Sequence, residues 1–275
     1  YSNFIKIEGM IYMDKNLKIL YFSPTSGTKK IVKAIAESID SNYEEFDITL
    51  PQNRTNNITF SSDDLVIVGM PTYAGRFPRL LHNFLDKITA NNTLGVFITT
   101  YGNRDYEDAL LEQYDIFTSK GFIGLGAATF ITEHSSTSKL ATGRPHAEDL
   151  KTASDFGCEI IKRLKEINSL SDLNSLTLPG SIPYVEKNIP SMPFAPETNE
   201  KCVTCGICAK HCPTSAIDFS DCRTIDISKC IKCNSCVKRC PLTAKVMTSE
   251  PYKNMQNMLI TNFAHNEKSP EIFLA

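Results

Sequence analysis

The feature that most constrains this chain is a cysteine pattern that occurs twice in its last third. Each copy has three cysteines separated by two residues, then a fourth after three more residues, followed directly by proline. Three cysteines at this spacing present their sulfurs from one tight loop, whereas the fourth begins a helical turn that points away. Each copy therefore supplies three ligands to one metal group and a fourth ligand to the other.

The repeat predicts two 4Fe–4S clusters with crossed ligation. Cluster I would take Cys202, Cys205, Cys208 and Cys240, and cluster II would take Cys230, Cys233, Cys236 and Cys212. A zinc site is the alternative, but it would leave four cysteines unexplained and needs neither the third cysteine nor the proline. A disulfide framework suits small secreted chains, and we find no export signal here, so we expect a cytoplasmic protein.

The two segments CVTCGICAKHCPTSAI and CIKCNSCVKRCPLTA resemble the bacterial two-cluster ferredoxins, with every ligand of that pattern present. The resemblance implies a small α+β ferredoxin domain over residues 201–250. Cys158 and Cys222 lie outside the pattern, and we expect both to be small buried side chains.

Residues 14–168 alternate short apolar runs with amphipathic stretches. Five such runs predict strands, and the stretches between them predict helices. This alternation is typical of a doubly wound α/β domain with a five-stranded parallel sheet, in which ligands bind at the carboxyl ends of the strands. The predicted strands cover residues 17–22, 44–48, 64–70, 93–99 and 121–130, and the predicted helices cover residues 28–39, 79–87, 105–120 and 147–168.

Three loops follow strands at that edge of the predicted sheet. The first, residues 23–28, offers hydroxyls and free amides at a helix N-terminus, which suits a phosphate dianion; a helix cap that binds nothing is the alternative. The loops after the third and fourth strands each place a tyrosine, Tyr73 or Tyr101, beside a glycine. Two such rings can enclose a flat ring, although a single tyrosine is more often a packing residue.

The segments FSPTSGT, GMPTYAGRFP and TTYGNRDYEDAL resemble the phosphate loop and the two ring-binding loops of the flavodoxin family. The family usually has Gly-Asn where this chain has Ser26-Gly27, and serine adopts left-handed backbone less readily than glycine. The resemblance covers residues 17–165 and implies an FMN site. Its residues would be Ser23, Thr25, Ser26, Gly27, Thr28, Pro71, Thr72, Tyr73, Ala74, Gly75, Thr100, Tyr101, Gly102 and Asn103.

Three further segments complete the predicted organisation. Residues 1–13 form an N-terminal extension, part of which can be an expression tag. Residues 169–200 contain five prolines between Pro179 and Pro196, which predicts a linker or a semi-rigid strap. Residues 251–275 form a C-terminal tail with one short helix.

The order of the domains resembles flavodoxin–ferredoxin fusion proteins of anaerobes. The resemblance implies an electron carrier that passes electrons between FMN, the clusters and a redox partner protein. An FMN-dependent reductase of a small molecule, such as a quinone or a nitro compound, is the alternative and would be an oxidoreductase; a redox sensor is the third possibility. In the segment from residue 132 to residue 145, His134 and Arg144 either contact the cofactors or lie in a solvated loop.

Charge and hydropathy argue against nucleic acid and membranes as partners. The net charge of −2 favours neither nucleic acid nor an anionic membrane, and no apolar run is long enough to span a bilayer. The sequence does not determine the oligomeric state and is compatible with a homodimer.

Overall fold

The computed structural model describes residues 15–186 and 194–275. The predicted N-terminal extension therefore lies outside the described residues, as do residues 187–193 of the predicted strap. The described strands are β1 (Asn16–Tyr21), β2 (Glu44–Asp47), β3 (Ile58–Phe60), β4 (Asp64–Pro71), β5 (Ile88–Ala90), β6 (Thr93–Tyr101), β7 (Phe122–Ile131), β8 (Glu197–Thr198), β9 (Lys245–Val246) and β10 (Glu271–Leu274). The α-helices are α1 (Gly27–Ile39), α2 (His82–Leu85), α3 (Ala109–Ser119), α4 (Ala147–Glu166), α5 (Ile207–Lys210), α6 (Ser235–Arg239) and α7 (Glu250–Phe263).

A six-stranded sheet forms the centre of the larger domain, in the spatial order β10-β7-β6-β4-β1-β2. The five predicted strands are all present and run parallel, which confirms the α/β class. The sixth strand, β10, was not predicted. It comes from the C-terminal tail and pairs antiparallel with β7.

The sheet is covered on both faces, as its apolar strands require. All nine residues of β6 are buried. Helices α1 and α4 cover one face, and the aromatic cluster around Phe97 and Phe117 lies on the other face with α3. On α4 the inner face carries Phe156 and Ile160, so Cys158 is exposed and our expectation of a buried side chain is wrong. Cys222 is 1% exposed, as expected.

The segment after α4 lies along α3. Leu176 is buried in the core, and the backbone amides of Ser181 and Val185 donate to the carboxylate of Asp108 at the start of that helix, at 2.9 and 2.7 Å. The described part of the predicted strap is therefore attached to the sheet domain up to at least Val185.

The cysteine repeat folds as a small second domain. It contains α5 and α6 and the antiparallel pair of β8 and β9. Helix α7 then leads back to the larger domain, where β10 completes the sheet. No helix in the described ranges has both the length and the apolar composition that crossing a membrane requires.

Candidate functional site

The loop between β1 and α1 is held by hydroxyl groups. Ser26 adopts left-handed backbone with φ of 70°, so the chain takes this path without the glycine that is usual there. Ser23 Oγ accepts from the amide of Lys29 at 3.0 Å, and the hydroxyls of Thr28 and Thr100 are 2.7 Å apart and buried. A side chain at Gly27 would place its Cβ 2.9 Å from Thr132, so the loop and the end of β7 approach too closely for any larger residue.

A cavity opens beside this loop, at the carboxyl ends of β1, β4 and β6. It brings together nine of the fourteen residues predicted to bind FMN. These are Thr25, Thr28, Pro71, Thr72, Tyr73, Ala74, Thr100, Tyr101 and Gly102. The other five do not line it, namely Ser23, Ser26, Gly27, Gly75 and Asn103.

The loop after β4 makes a tight turn. Tyr73 and Arg76 exchange backbone hydrogen bonds at 3.0 and 3.1 Å, and both central residues, Ala74 and Gly75, have positive φ. The turn presents the Tyr73 ring to the cavity. Burial, followed by the nearby charge of Cys233, raises the pKa of the Tyr73 phenol well above its usual value.

The loop after β6 is covered by the C-terminal segment. The Tyr101 ring is 3% exposed, packs 5.4 Å from the ring of Tyr106 and has the Lys268 ammonium 5.8 Å from its centre. Asn103 is fully engaged elsewhere, because its amide donates to the carbonyl oxygens of Phe263 and Asn266. Tyr101 is thus a buried wall of the cavity, and Asn103 anchors the tail.

The loop after β7 supplies a wall that the predicted set of residues did not include. His134 lines the cavity, and its ring lies so close to Gly102 that a Cβ there would be 2.4 Å from Cδ2. Its Nδ1 accepts from the amide of Ser136 at 3.1 Å, which leaves the proton of the neutral ring on Nε2. Burial lowers the pKa of His134 to about 4, and the charges of Lys238 and Arg104 add to this. Arg144 instead pairs with Asp149.

Residues distant in sequence close the cavity. Ile231, Lys232 and Cys233 come from the cysteine domain. Phe194 and Tyr252, whose rings meet edge to face at 5.8 Å, come from the segments on either side of that domain. No local pattern predicts these residues, because they reach the site only when the two domains pack together.

The eight repeat cysteines line two separate cavities. The grouping follows the crossed pattern, because the fourth cysteine of each copy lies with the first three of the other. One cavity is lined by Cys202, Cys205, Cys208 and Cys240, and the other by Cys230, Cys233, Cys236 and Cys212. Among the described residues, no three His, Cys, Asp or Glu side chains are grouped so as to hold a single metal ion.

The two copies of the repeat have matching backbones. The amides of Ala216 and Ala244 donate to the sulfurs of Cys212 and Cys240, at 3.2 and 3.1 Å. Positive φ recurs at three equivalent pairs, namely Thr204 and Lys232, Gly206 and Asn234, and Ser215 and Thr243. Burial raises the pKa of Cys233 and of Cys236 to about 12. Metal coordination is what makes thiolates stable at such buried positions.

Comparison with known proteins finds family models for both parts of the chain. A flavodoxin-domain family model matches residues 18–120, and a 4Fe–4S binding-domain model matches residues 197–218 and again residues 223–244. The chain is a flavodoxin–ferredoxin fusion protein. Its cofactors are accordingly FMN and two 4Fe–4S clusters. No curated protein sequence matches the fusion.

Solved structures similar to the fusion include flavodoxins and a flavodiiron core that each cover about half of this chain. A flavodoxin from the domain Archaea is 15% identical, with 55% of this chain and 99% of that one covered at a TM-score of 0.39. A flavodoxin of Streptococcus pneumoniae TIGR4 is 18% identical (54% and 98% covered, TM-score 0.38). The Flv1 flavodiiron core of Synechocystis is also 18% identical (56% and 37% covered, TM-score 0.39).

The residues of the fusion fit these cofactors. Two buried hydroxyls on the wall of the larger cavity, Thr72 Oγ1 and Tyr101 Oη, have no hydrogen-bond partner among the described residues. Such groups are costly unless a ligand satisfies them, and FMN carries the required donors and acceptors. All eight repeat cysteines are free of disulfides, as thiolate ligation of clusters requires.

Polar contacts hold the ferredoxin domain against the predicted phosphate loop. Ser235 Oγ donates to the carbonyl of Pro24 at 2.8 Å, and Arg239 Nη2 donates to Ser26 Oγ at 2.8 Å. On either side, Lys238 pairs with Glu133 at 2.6 Å, and Arg54 Nη2 donates to the carbonyl of Pro213 at 2.7 Å. The loop that is predicted to bind the FMN phosphate is therefore also a contact surface between the domains.

Proposed function

We propose that the fusion is an electron carrier in which FMN exchanges electrons with cluster II, and cluster II with cluster I. One observation supports this order of electron transfer. Cys233 lines the FMN cavity and also the cavity that it shares with Cys212, Cys230 and Cys236. Bound FMN exchanges two electrons and each cluster exchanges one, so the three groups can pool or divide electrons.

The surroundings of cluster I support its role as the outer group. Its cavity is bordered by Val203 and Leu242, which are 69% and 41% exposed, and Cys205 is itself exposed. Exposed apolar side chains that border one site, rather than lying scattered singly, mark surfaces that contact other proteins. A redox partner protein would therefore meet the fusion at cluster I, on surface that the flavodoxin domain leaves free.

Two cysteine variants test the order. Cys233→Ser removes a ligand of cluster II, and Cys205→Ser removes an exposed ligand of cluster I. After rapid anaerobic reduction of the clusters, Cys233→Ser should lose the fast phase of FMN reduction, because the connecting cluster is damaged. Cys205→Ser should keep that phase. A fast phase that survives in Cys233→Ser would contradict the proposal.

Cofactor content is the control for both variants. The unmodified protein, purified without oxygen, should contain about eight iron atoms and about eight acid-labile sulfides per chain, as two cubanes require. Both variants should keep bound FMN, which is measured by its absorbance after release from the protein.

The predicted reductase alternative stays a prediction, which steady-state turnover with quinones or nitro compounds would test. We also infer a cytoplasmic location, which free cysteine ligands favour.

A further inference from the structure

The ferredoxin domain contains a buried lysine next to cluster I. The Lys245 side chain is 2% exposed, and its ammonium donates to Thr198 Oγ1 and to the carbonyl of Cys222, both at 2.6 Å. No described carboxylate lies within the 4.0 Å that defines an ion pair with it. Asp221 is the acidic residue in its neighbourhood, but that carboxylate is occupied by the amides of Arg223 and Thr224.

A buried ammonium is costly unless an anion lies close to it. Lys245 lines the same cavity as Cys202, Cys205, Cys208 and Cys240. A 4Fe–4S cluster with four thiolate ligands is an anion, and in the proposed ligation it would fill this cavity. Cluster I is therefore the counter-charge that the described residues do not otherwise provide.

The repeat supplies an internal comparison for this lysine. Ala244 and Ala216 are equivalent and make the same amide-to-sulfur hydrogen bond. The next residue is Lys245 in the cavity of cluster I, whereas it is Ile217 in the cavity of cluster II. The backbones around the two clusters match, but only one cavity has a buried positive charge at this position.

The cations beside cluster II, Lys232 and Arg54, are only partly buried and do not cancel this difference. Lys232 lies beside cluster II, but it is partly exposed and its ammonium lies 5.4 Å from the centre of the Phe194 ring. Arg223 is an exposed cation on the side of cluster I, where it donates to the carbonyl of Cys202. Water and salt screen exposed charges, whereas charges act about four times more strongly at an effective dielectric constant near 20 than in water.

We propose that Lys245 gives cluster I the higher reduction potential of the two clusters. Each cluster takes up one electron and gains one negative charge on reduction. The nearby ammonium stabilises the more negative, reduced form, as charges around iron–sulfur clusters generally do. This inference rests on the proposed ligation. With the higher potential at cluster I, an electron would come to rest there, and cluster II, next to FMN, would be the less readily reduced group.

Redox titration of the whole protein tests the role of Lys245, with dithionite as reductant and EPR as readout. Lys245→Gln removes the charge but keeps a hydrogen-bond donor, Lys245→Met also removes the donor, and Lys245→Arg keeps the charge. Lys210→Gln, at an exposed lysine of the same domain, is the matched control. The step that changes in Cys205→Ser identifies cluster I.

The unmodified protein should show two one-electron steps, with cluster I reduced at the higher potential. In both neutral variants, the equilibrium for reducing cluster I should become at least tenfold less favourable, a shift of 59 mV. Cluster II should shift less, because Lys245 does not line its cavity. Lys245→Arg and Lys210→Gln should keep the original potentials. An unshifted cluster I in Lys245→Gln, or an equal shift in Lys210→Gln, would overturn the role of Lys245. Fewer than two clusters in the unmodified protein would instead overturn the proposed function on which it rests.

Discussion

At the scale of single residues, Arg239 connects the two domains through hydrogen bonds. It belongs to the ferredoxin domain and directly precedes Cys240, yet its guanidinium donates to Ser26 Oγ and to the carbonyl of Pro24 in the phosphate loop. No ion pair among the described residues includes it. Its positive charge is therefore available to a phosphate dianion bound at the N-terminus of α1.

Arg239→Ala should weaken FMN binding more than riboflavin binding, because riboflavin lacks the phosphate. A hydrogen bond to a charged group contributes about 1.5 to 3 kcal/mol, so we expect the Kd for FMN to rise about tenfold or more. Fluorescence titration of protein stripped of flavin measures both ligands. Lys151→Ala, at an exposed lysine on α4, is the control. An equal loss for riboflavin would mean that Arg239 only supports the loop.

At the scale of elements, the C-terminal segment is part of the FMN domain. Asn103, in the loop after β6, holds this segment with three hydrogen bonds, to Phe263, Asn266 and Lys268, at 2.9, 2.9 and 3.0 Å. Strand β10 then pairs with β7. The segment fixes both the buried position of Tyr101 and one edge of the sheet.

Asn103→Gly should therefore loosen the C-terminal segment. Glycine suits the positive φ at this position, so the variant removes the side-chain hydrogen bonds without backbone strain. At about 1 kcal/mol for each bond, local opening should become easier by about 3 kcal/mol. Amide hydrogen exchange should accelerate in β10 and stay unchanged in β4, which is the control. Equal protection of β10 in variant and parent would contradict this.

The sequence predicted the five parallel strands because their apolar character does not depend on distant partners. In β4 and β6 nearly every residue is buried, so each gives a continuous apolar run. Strand β10 has four residues, three of them exposed, and its apolar run of three residues is too short to distinguish a strand from a tail. The FMN loops were predicted for the same local reason. The approach of Cys233 and Arg239 depends on packing between domains, which no spacing along the chain encodes.

At the scale of the whole molecule, the ferredoxin domain is attached by more than a tether. The segment before it lies along α3, the segment after it returns to the sheet, and Ile231 packs against the core of the flavodoxin domain. Contacts at Pro24, Ser26 and Glu133 fix its orientation. These contacts hold the FMN cavity and the two cysteine cavities in one arrangement.

This arrangement predicts that electron transfer between FMN and the clusters is intramolecular. After flash reduction of the clusters, the rate constant for FMN reduction should stay the same at several protein dilutions. Lys238→Glu, which turns the pair with Glu133 into a repulsion, should slow the reaction without changing its order. A rate that falls in proportion to concentration would instead mean that each flavin is served by a neighbouring molecule.

The position of β10 in the sequence also determines when the sheet can be completed during translation. The strand leaves the ribosome after the cysteine repeat, so the edge of β7 stays unpaired until the cluster-binding segment has been made. An unpaired strand edge is a site of aggregation. A nascent chain that stalls within the repeat thus lacks the strand that covers this edge. The sheet reaches its final width only in chains that already contain every cluster ligand.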